Sequence, residues 1–118
     1  MSRRPARLLA GDIVEAIGRV RTYTAGLDHA QFTADQLRID AVVRNLEIIG
    51  EASNRLPQET QALCPELEWP KIVGLRNRIV HDRFGVDVDI IWQILQVDLS
   101  PLHSAVSRLL AQLPSDAD

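Results

Sequence analysis

The reactive side chains of this chain gather between Leu75 and Asp87, where Arg76, Asn77, Arg78, His81, Asp82 and Arg83 alternate with Ile79, Val80 and Phe84. The apolar residues would anchor the segment to a core while the polar ones remain available. An imidazole titrating near neutrality can accept and return protons, and a guanidinium can hold a phosphate through paired donors. Together they meet the main needs of RNA cleavage without a metal, in which a 2′-hydroxyl attacks its own phosphate and a cation stabilises the developing charge. A second proton-transfer group is still needed. A symmetric dimer that presents two copies of the segment across its interface would supply it.

Arg76 and His81 are five positions apart, about 140° around an ideal helix, so they do not stack directly. Asn77 and His81 are four apart and would share a face. A long arginine side chain can still swing toward the imidazole, above all if the helix loosens before Gly85. Lys71, Arg76, Arg78 and Arg83 stand against Asp82 alone, a basic patch within an acidic chain, and two copies would suit a phosphate backbone. A plainer reading uses the same residues. Arg78 and Asp82 would form a surface pair worth about 0.2–0.5 kcal/mol, and His81 would favour the dipole of a helix C-terminus. Residue type and spacing leave both open. His29 and His103 have no reactive neighbours in sequence and are expected in surface or packing roles.

The elements that must position this segment are helical. From Ala6 to about Thr24, Leu9, Ile13, Ala16, Ile17 and Val20 repeat at the helical period, and Gly26 is placed to cap the end. After a connector from Asp28 to Phe32, Thr33 and Gln36 have the form of a capping box. The helix they would open carries Ile39, Val42, Leu46, Ile49 and Leu56, a seam broken at Ser53 that would pack on another helix of this chain or of a second subunit. Gly50 lies within it, and close helix approach is the reason expected for it. Pro57 ends that helix or begins a short one through Gln61 and Ala62, and Cys64-Pro65 followed by Trp69-Pro70 marks an irregular connection. A third helix is expected from Pro70 through about Phe84, stopped by Gly85, with Ile72, Leu75 and Ile79 inward and Val80 a further candidate for that face. Residues 86–89 alternate over too short a stretch to make a strand. Asp87 or Asp89 would cap a fourth helix carrying Ile90, Ile91, Ile94 and Leu95, kinked or broken by Pro101 and continued by Leu102, Val106, Leu109, Leu110 and Leu113. The expectation is an all-α, up-and-down bundle of four main helices that dimerises.

Composition fits that class. The 118 residues suit one domain, 1–118, with 114–118 as a loose tail. Hydrophobic residues make up 46% and aromatics only 4%, so the core must be aliphatic. The formal net charge of -3 gives no overall field to attract a polyanion, and nucleic-acid contact would have to be local. Cys64, the single cysteine, offers neither an intrachain disulfide nor a metal cluster and is expected as a small buried hydrophobe. No run approaches the roughly 18 apolar residues of a membrane span, and acidic residues interrupt the segment after Arg3 and Arg4 before a signal core develops. A cytoplasmic protein without metal or cofactor is expected.

Gly74 through His81, followed by Phe84-Gly85-Val86-Asp87, resembles the HepT-like family of the HEPN superfamily, whose R-x4-6-H signature falls on Arg76 and His81. Arg44 through Ala52 and Ile91-Trp92-Gln93-Ile94 are similar to the family's pattern as well, so the resemblance covers nearly the whole chain. It implies a dimerising helical bundle with the two motifs at the interface forming a ribonuclease site. By that resemblance Arg76 and His81 would be catalytic, with Asn77 as the polar neighbour that orients or contacts phosphate, while Arg78 and Arg83, read from the basic patch and not from the resemblance, would add contacts to RNA phosphate. It also implies the toxin of a bacterial type VII toxin–antitoxin pair, whose partner is a minimal nucleotidyltransferase antitoxin of the MntA type.

One position departs from the pattern. In many HepT-like toxins the motif continues as H-x-Tyr, and the antitoxin silences the toxin by attaching AMP to that tyrosine. Arg83 stands there in this chain, Tyr23 is its one tyrosine, and Phe84 has no hydroxyl. Modification at Arg83 is therefore not expected. Either Arg83 adds a phosphate contact to a nuclease restrained by antitoxin binding alone, or the chain is a non-catalytic helical module that pairs with a nucleotidyltransferase.

Overall fold

The computed structural model describes residues 4–82 and 85–114, with His81 and Asp82 described by backbone alone. Two long helices set the frame. α1 (Ala6–Thr24) buries Leu9, Ile13, Ala16, Ile17 and Val20, and α3 (Gln36–Arg55) buries Ile39, Val42, Leu46 and Ile49. The stripes face each other because each sequence returns an apolar side chain to the same side every three or four residues. α8 (Leu99–Gln112) closes on α1 with Leu102, Ala105, Val106 and Leu109, while α7 (Val88–Val97) adds Ile91 and Ile94. The result is an all-α bundle whose buried apolar residues form one cluster.

A polar tie crosses the long pair. Asn45, buried within α3, accepts from Arg19 Nε on α1 at 2.7 Å and donates to Ala41 O at 2.8 Å. Both functions of the amide are thereby used, as a buried polar group requires. Ser53, also buried, leaves its Oγ without a hydrogen-bond partner among the described residues. The break it makes in the apolar seam is therefore real.

Gly26 adopts φ 77° just past α1, the left-handed conformation that glycine accepts without strain. The connector after it is more ordered than expected. Asp28 and Gln31 form the capping box of a short helix, α2 (His29–Thr33), whose Phe32 is fully buried. Thr33 does not open α3, because its hydroxyl donates back to His29 O at 2.8 Å; Asp35 caps α3 by accepting from Arg38 N. His29 takes a surface role: it is exposed, with Nε2 2.8 Å from Asp89 Oδ1 and its ring edge-on to Trp92.

The connection after α3 folds into α4 (Gln58–Gln61), whose trailing carbonyls are capped from a distance. Trp69 Nε1 donates to Gln61 O at 2.9 Å and Cys64 O at 3.2 Å. Cys64 is buried, as expected of a small hydrophobe.

The third expected helix is broken twice. α5 (Trp69–Val73) stops at Gly74, α6 (Leu75–Ile79) follows, and the chain leaves helical geometry at Val80, which is therefore exposed and not on the inward face with Leu75 and Ile79. β1 (Val80–Asp82) then pairs antiparallel with β2 (Gly85–Val86), with Val80 opposite Val86. The cause lies downstream: Asp87 caps α7 through Ile90 N, while its own N–H donates to Ile79 O at 2.7 Å. That bond folds the chain back onto the end of α6, so a helix through Phe84 cannot form. Phe84 itself lies outside the described residues. Pro101 sits in the first turn of α8, where no helical N–H is required, and the chain breaks before it at Asp98. No helix among the described residues is long and apolar enough to cross a membrane.

Candidate active site

α6 carries three of the sequence-predicted residues on a single short helix. Leu75 and Ile79, four apart, are both buried and define its inner side. Arg76 and Asn77 are exposed, and Arg78 is half-buried on the opposite flank from Arg76. His81 stands in β1, two residues beyond the helix. The 140° separation of an ideal helix therefore does not apply to Arg76 and His81, nor does the shared helical face expected for Asn77 and His81. A pairing of Arg78 with Asp82 at helical spacing is likewise removed, because Asp82 is in the strand; its side chain, like that of His81 and all of Arg83, lies outside the described residues.

The cations of this segment have different fates. Arg78 Nη1 is 2.8 Å from Asp98 Oδ2 at the junction of α7 and α8. Lys71 Nζ, in α5, is 3.1 Å from Oε2 of Glu68, the residue that precedes the helix. The basic patch read from the sequence is thus partly neutralised by carboxylates, one of them twenty residues from its arginine. Arg78 has less to offer a phosphate than its sequence position implies. Arg76 makes no ion pair with any other described residue.

Arg76 opens on a groove of about 260 Å³ lined also by Glu47, Gly50, Glu51, Asn54 and Val73. Gly50 is what lets this groove exist. A Cβ there would lie 3.2 Å from Val73 O and 3.3 Å from Ile72 O, so α5 rests directly on the α3 backbone and brings α6 alongside. A second groove, about 390 Å³, lies on the Arg78 side and is lined by Glu68, Lys71, Gln93, Val97, Asp98 and their neighbours. Among the described residues no group of three His, Cys, Asp or Glu side chains is arranged to hold a metal ion.

Sequence reasoning missed Glu47, Glu51 and Asn54 as neighbours of Arg76. Their spacing around Gly50 was a usable signal, because 47, 50, 51 and 54 form one stripe of a helix. Asp98 had no such signal, since its pairing with Arg78 depends on how α6 meets the α7–α8 junction.

The family model described as ribonuclease HepT-like matches residues 13–109, from the first buried isoleucine of α1 to the last buried leucine of α8. The chain belongs to the HepT-like ribonuclease family. It is 36% identical over 98 residues to "Probable ribonuclease HepT" of Thermococcus cleftensis, covering 83% of this chain and 89% of that protein. It is 34% identical over 106 residues to "Putative RNase MJ1380" of Methanocaldococcus jannaschii, covering 90% and 97% respectively. "Putative RNase TTE0752" of Caldanaerobacter subterraneus subsp. tengcongensis is 35% identical over 85 residues, covering 72% of this chain and 76% of that protein. No solved structure matches the chain. The segment matched by the HepT-like model includes α6 and the hairpin, and therefore Arg76, Asn77, Arg78 and His81.

Proposed function

We propose that this HepT-like chain is a metal-independent RNA endonuclease that works as a homodimer, with Arg76 and His81 as its catalytic residues. The observation that carries this reading is Arg76 itself: exposed, without an ion-pair partner among the described residues, and three residues before the helix stop that leads into β1 and His81. A guanidinium left unpaired beside neighbours that are neutralised is available for an anion.

In the proposed reaction the 2′-oxygen attacks the adjacent phosphorus as its proton passes to a base. The bond to the 5′-oxygen then breaks, and that oxygen takes a proton as it leaves, giving a 2′,3′-cyclic phosphate and a free 5′-hydroxyl. Arg76 would stabilise the charge on the non-bridging oxygens, an interaction strongest in the transition state. His81 would transfer one proton, and the same residue of a second copy the other, which is why the reading includes a dimer. Asn77, exposed one residue after Arg76, would contact phosphate, as would Arg83; Arg78 would contribute donors left over from Asp98.

We also propose that the chain is the toxin of a toxin–antitoxin pair restrained by a MntA-type nucleotidyltransferase. The family match supports this role, and Arg83 at the tyrosine position supports restraint by binding in place of modification there. The test is cleavage of labelled RNA in EDTA by the purified protein, beside His81→Ala and Arg76→Ala. Cleavage by the wild type and its loss in both folded variants is the expected result. No cleavage of several RNAs by a folded dimer would reject the nuclease in favour of a helical module that only binds the nucleotidyltransferase.

A further inference from the structure

The groove beside Arg76 holds two carboxylates, which is an unfavourable place to lay a polyanion. Glu47 is half-buried and Glu51 exposed, they flank Gly50 on one stripe of α3, and neither is engaged in an ion pair among the described residues. A strand whose phosphate lies on Arg76 would meet their repulsion unless they faced the uncharged part of a nucleotide. Ionised carboxylates accept hydrogen bonds and cannot donate them, so they select for a base edge rich in N–H groups.

Guanine meets that demand better than the other bases. Its Watson–Crick edge sets N1–H beside the N2 amino group, two adjacent donors for one carboxylate. Adenine and cytosine place their amino group next to a ring nitrogen that accepts, and uracil has one N–H between two carbonyls. Bases of single-stranded RNA are free to be read on this edge. Asn54, at the end of the same stripe, has an amide able to donate to O6, and Val73 supplies an apolar wall.

We infer that the groove of Glu47, Glu51, Asn54 and Val73 is a nucleobase pocket that selects a guanine next to the phosphate held by Arg76. This rests on the ribonuclease reading above, and its test separates the two.

The affinity of the His81→Ala protein is measured in EDTA, by fluorescence anisotropy, for five labelled hexanucleotides that differ at one base: guanine, hypoxanthine, adenine, cytosine or uracil. Guanine binds about ten-fold or more tightly than adenine, cytosine or uracil. Hypoxanthine keeps N1–H but lacks the amino group and loses much of that advantage. Adding Glu47→Gln and Glu51→Gln removes the preference, while affinity for the other bases holds or rises as the repulsion is relieved.

Equal affinity for all five, or no binding of any, overturns the pocket. So does a uniform weakening in the glutamine variants with the preference intact, which would make the carboxylates mere supports for Arg76. Guanine-selective binding with no cleavage by the wild type would reject the nuclease and retain the pocket. Cleavage at every base alike would do the reverse.

Discussion

Replacing Gly50 with alanine measures the close approach on which the Arg76 groove depends. Taken alone, the change favours folding, since alanine in a helix interior is more stable than glycine by about 0.8–1 kcal/mol. Steric crowding outweighs that gain. The added Cβ would lie 3.2 Å from Val73 O and 3.3 Å from Ile72 O, closer than ordinary van der Waals contact, and both neighbours are backbone atoms. Relief requires moving α5, which the Trp69 indole ties to Gln61 and Cys64. Overpacking of this kind costs about 1–3 kcal/mol. The net expectation is a loss of about 1 kcal/mol, read as a lower urea midpoint with an unchanged slope, or as a fall of about 4 °C in Tm. Gly18→Ala is the control: Gly18 lies within α1, and nothing stands within 4 Å of its added Cβ. The same substitution there should stabilise by up to about 1 kcal/mol. If Gly50→Ala stabilises as Gly18→Ala does, α5 does not rest on Gly50, and the account of the groove fails with it.

Three further outcomes follow from the geometry. Arg78→Ala and Asp98→Ala, each measured alone and together in urea, should show a coupling of about 0.5–1 kcal/mol for their part-buried pair, and additive losses would mean that no pair exists. Burial, joined by the charge of Arg21, lowers the His103 pKa from its ordinary 6.5, so the folded state binds fewer protons than the unfolded chain and stability falls as pH drops from 6.5 through the folded value. His103→Gln should flatten that part of the stability–pH curve, and an unchanged slope would refute the assignment. Burial, with the nearby Glu66 charge, raises the Cys64 thiol pKa, so iodoacetamide at pH 8 should modify Cys64 only once urea unfolds the chain; labelling of the folded protein at the rate of a free thiol would contradict this.

The parts of the fold that depend on local periodicity are readable without coordinates. Ile13, Ile17 and Val20 of α1 and Ile39, Val42, Leu46 and Ile49 of α3 return to one side of their helices whatever they pack against, and all are buried. Gly26 and Gly50 are legible for a similar reason, since a positive φ and a close approach each leave glycine little competition. The region around Arg76 is less so. The apolar spacing of Ile72, Leu75 and Ile79 fits an unbroken helix, yet Gly74 interrupts it and the 2.7 Å bond from Asp87 N to Ile79 O ends it. Asp87 caps α7 as its residue type implies, but nothing in the spacing says that its backbone also closes a hairpin. Thr33 misleads because two cap-forming residues compete within three positions, and the aspartate at 35 prevails once the threonine hydroxyl bonds within α2.

Arg76 and Arg78 show why residue type alone does not assign the site. Two positions apart, they are separated by about 200° on a helix whose inner side is fixed by Leu75 and Ile79. One flank meets Asp98, where a guanidinium is ion-paired and helps hold α6 against the α7–α8 junction. The other meets the stripe of α3, where the guanidinium stands near Glu47 and Glu51 but makes no ion pair with any described residue. The arginine that docks the helix and the arginine free to receive a ligand therefore divide the work by position. Loss of Arg78 should appear first in stability, with a smaller loss of RNA contact from the donors that Asp98 does not take. Loss of Arg76 should leave the urea midpoint nearly unchanged and appear in RNA cleavage alone. A variant set showing the opposite pattern would exchange their roles and move the substrate to the Arg78 groove.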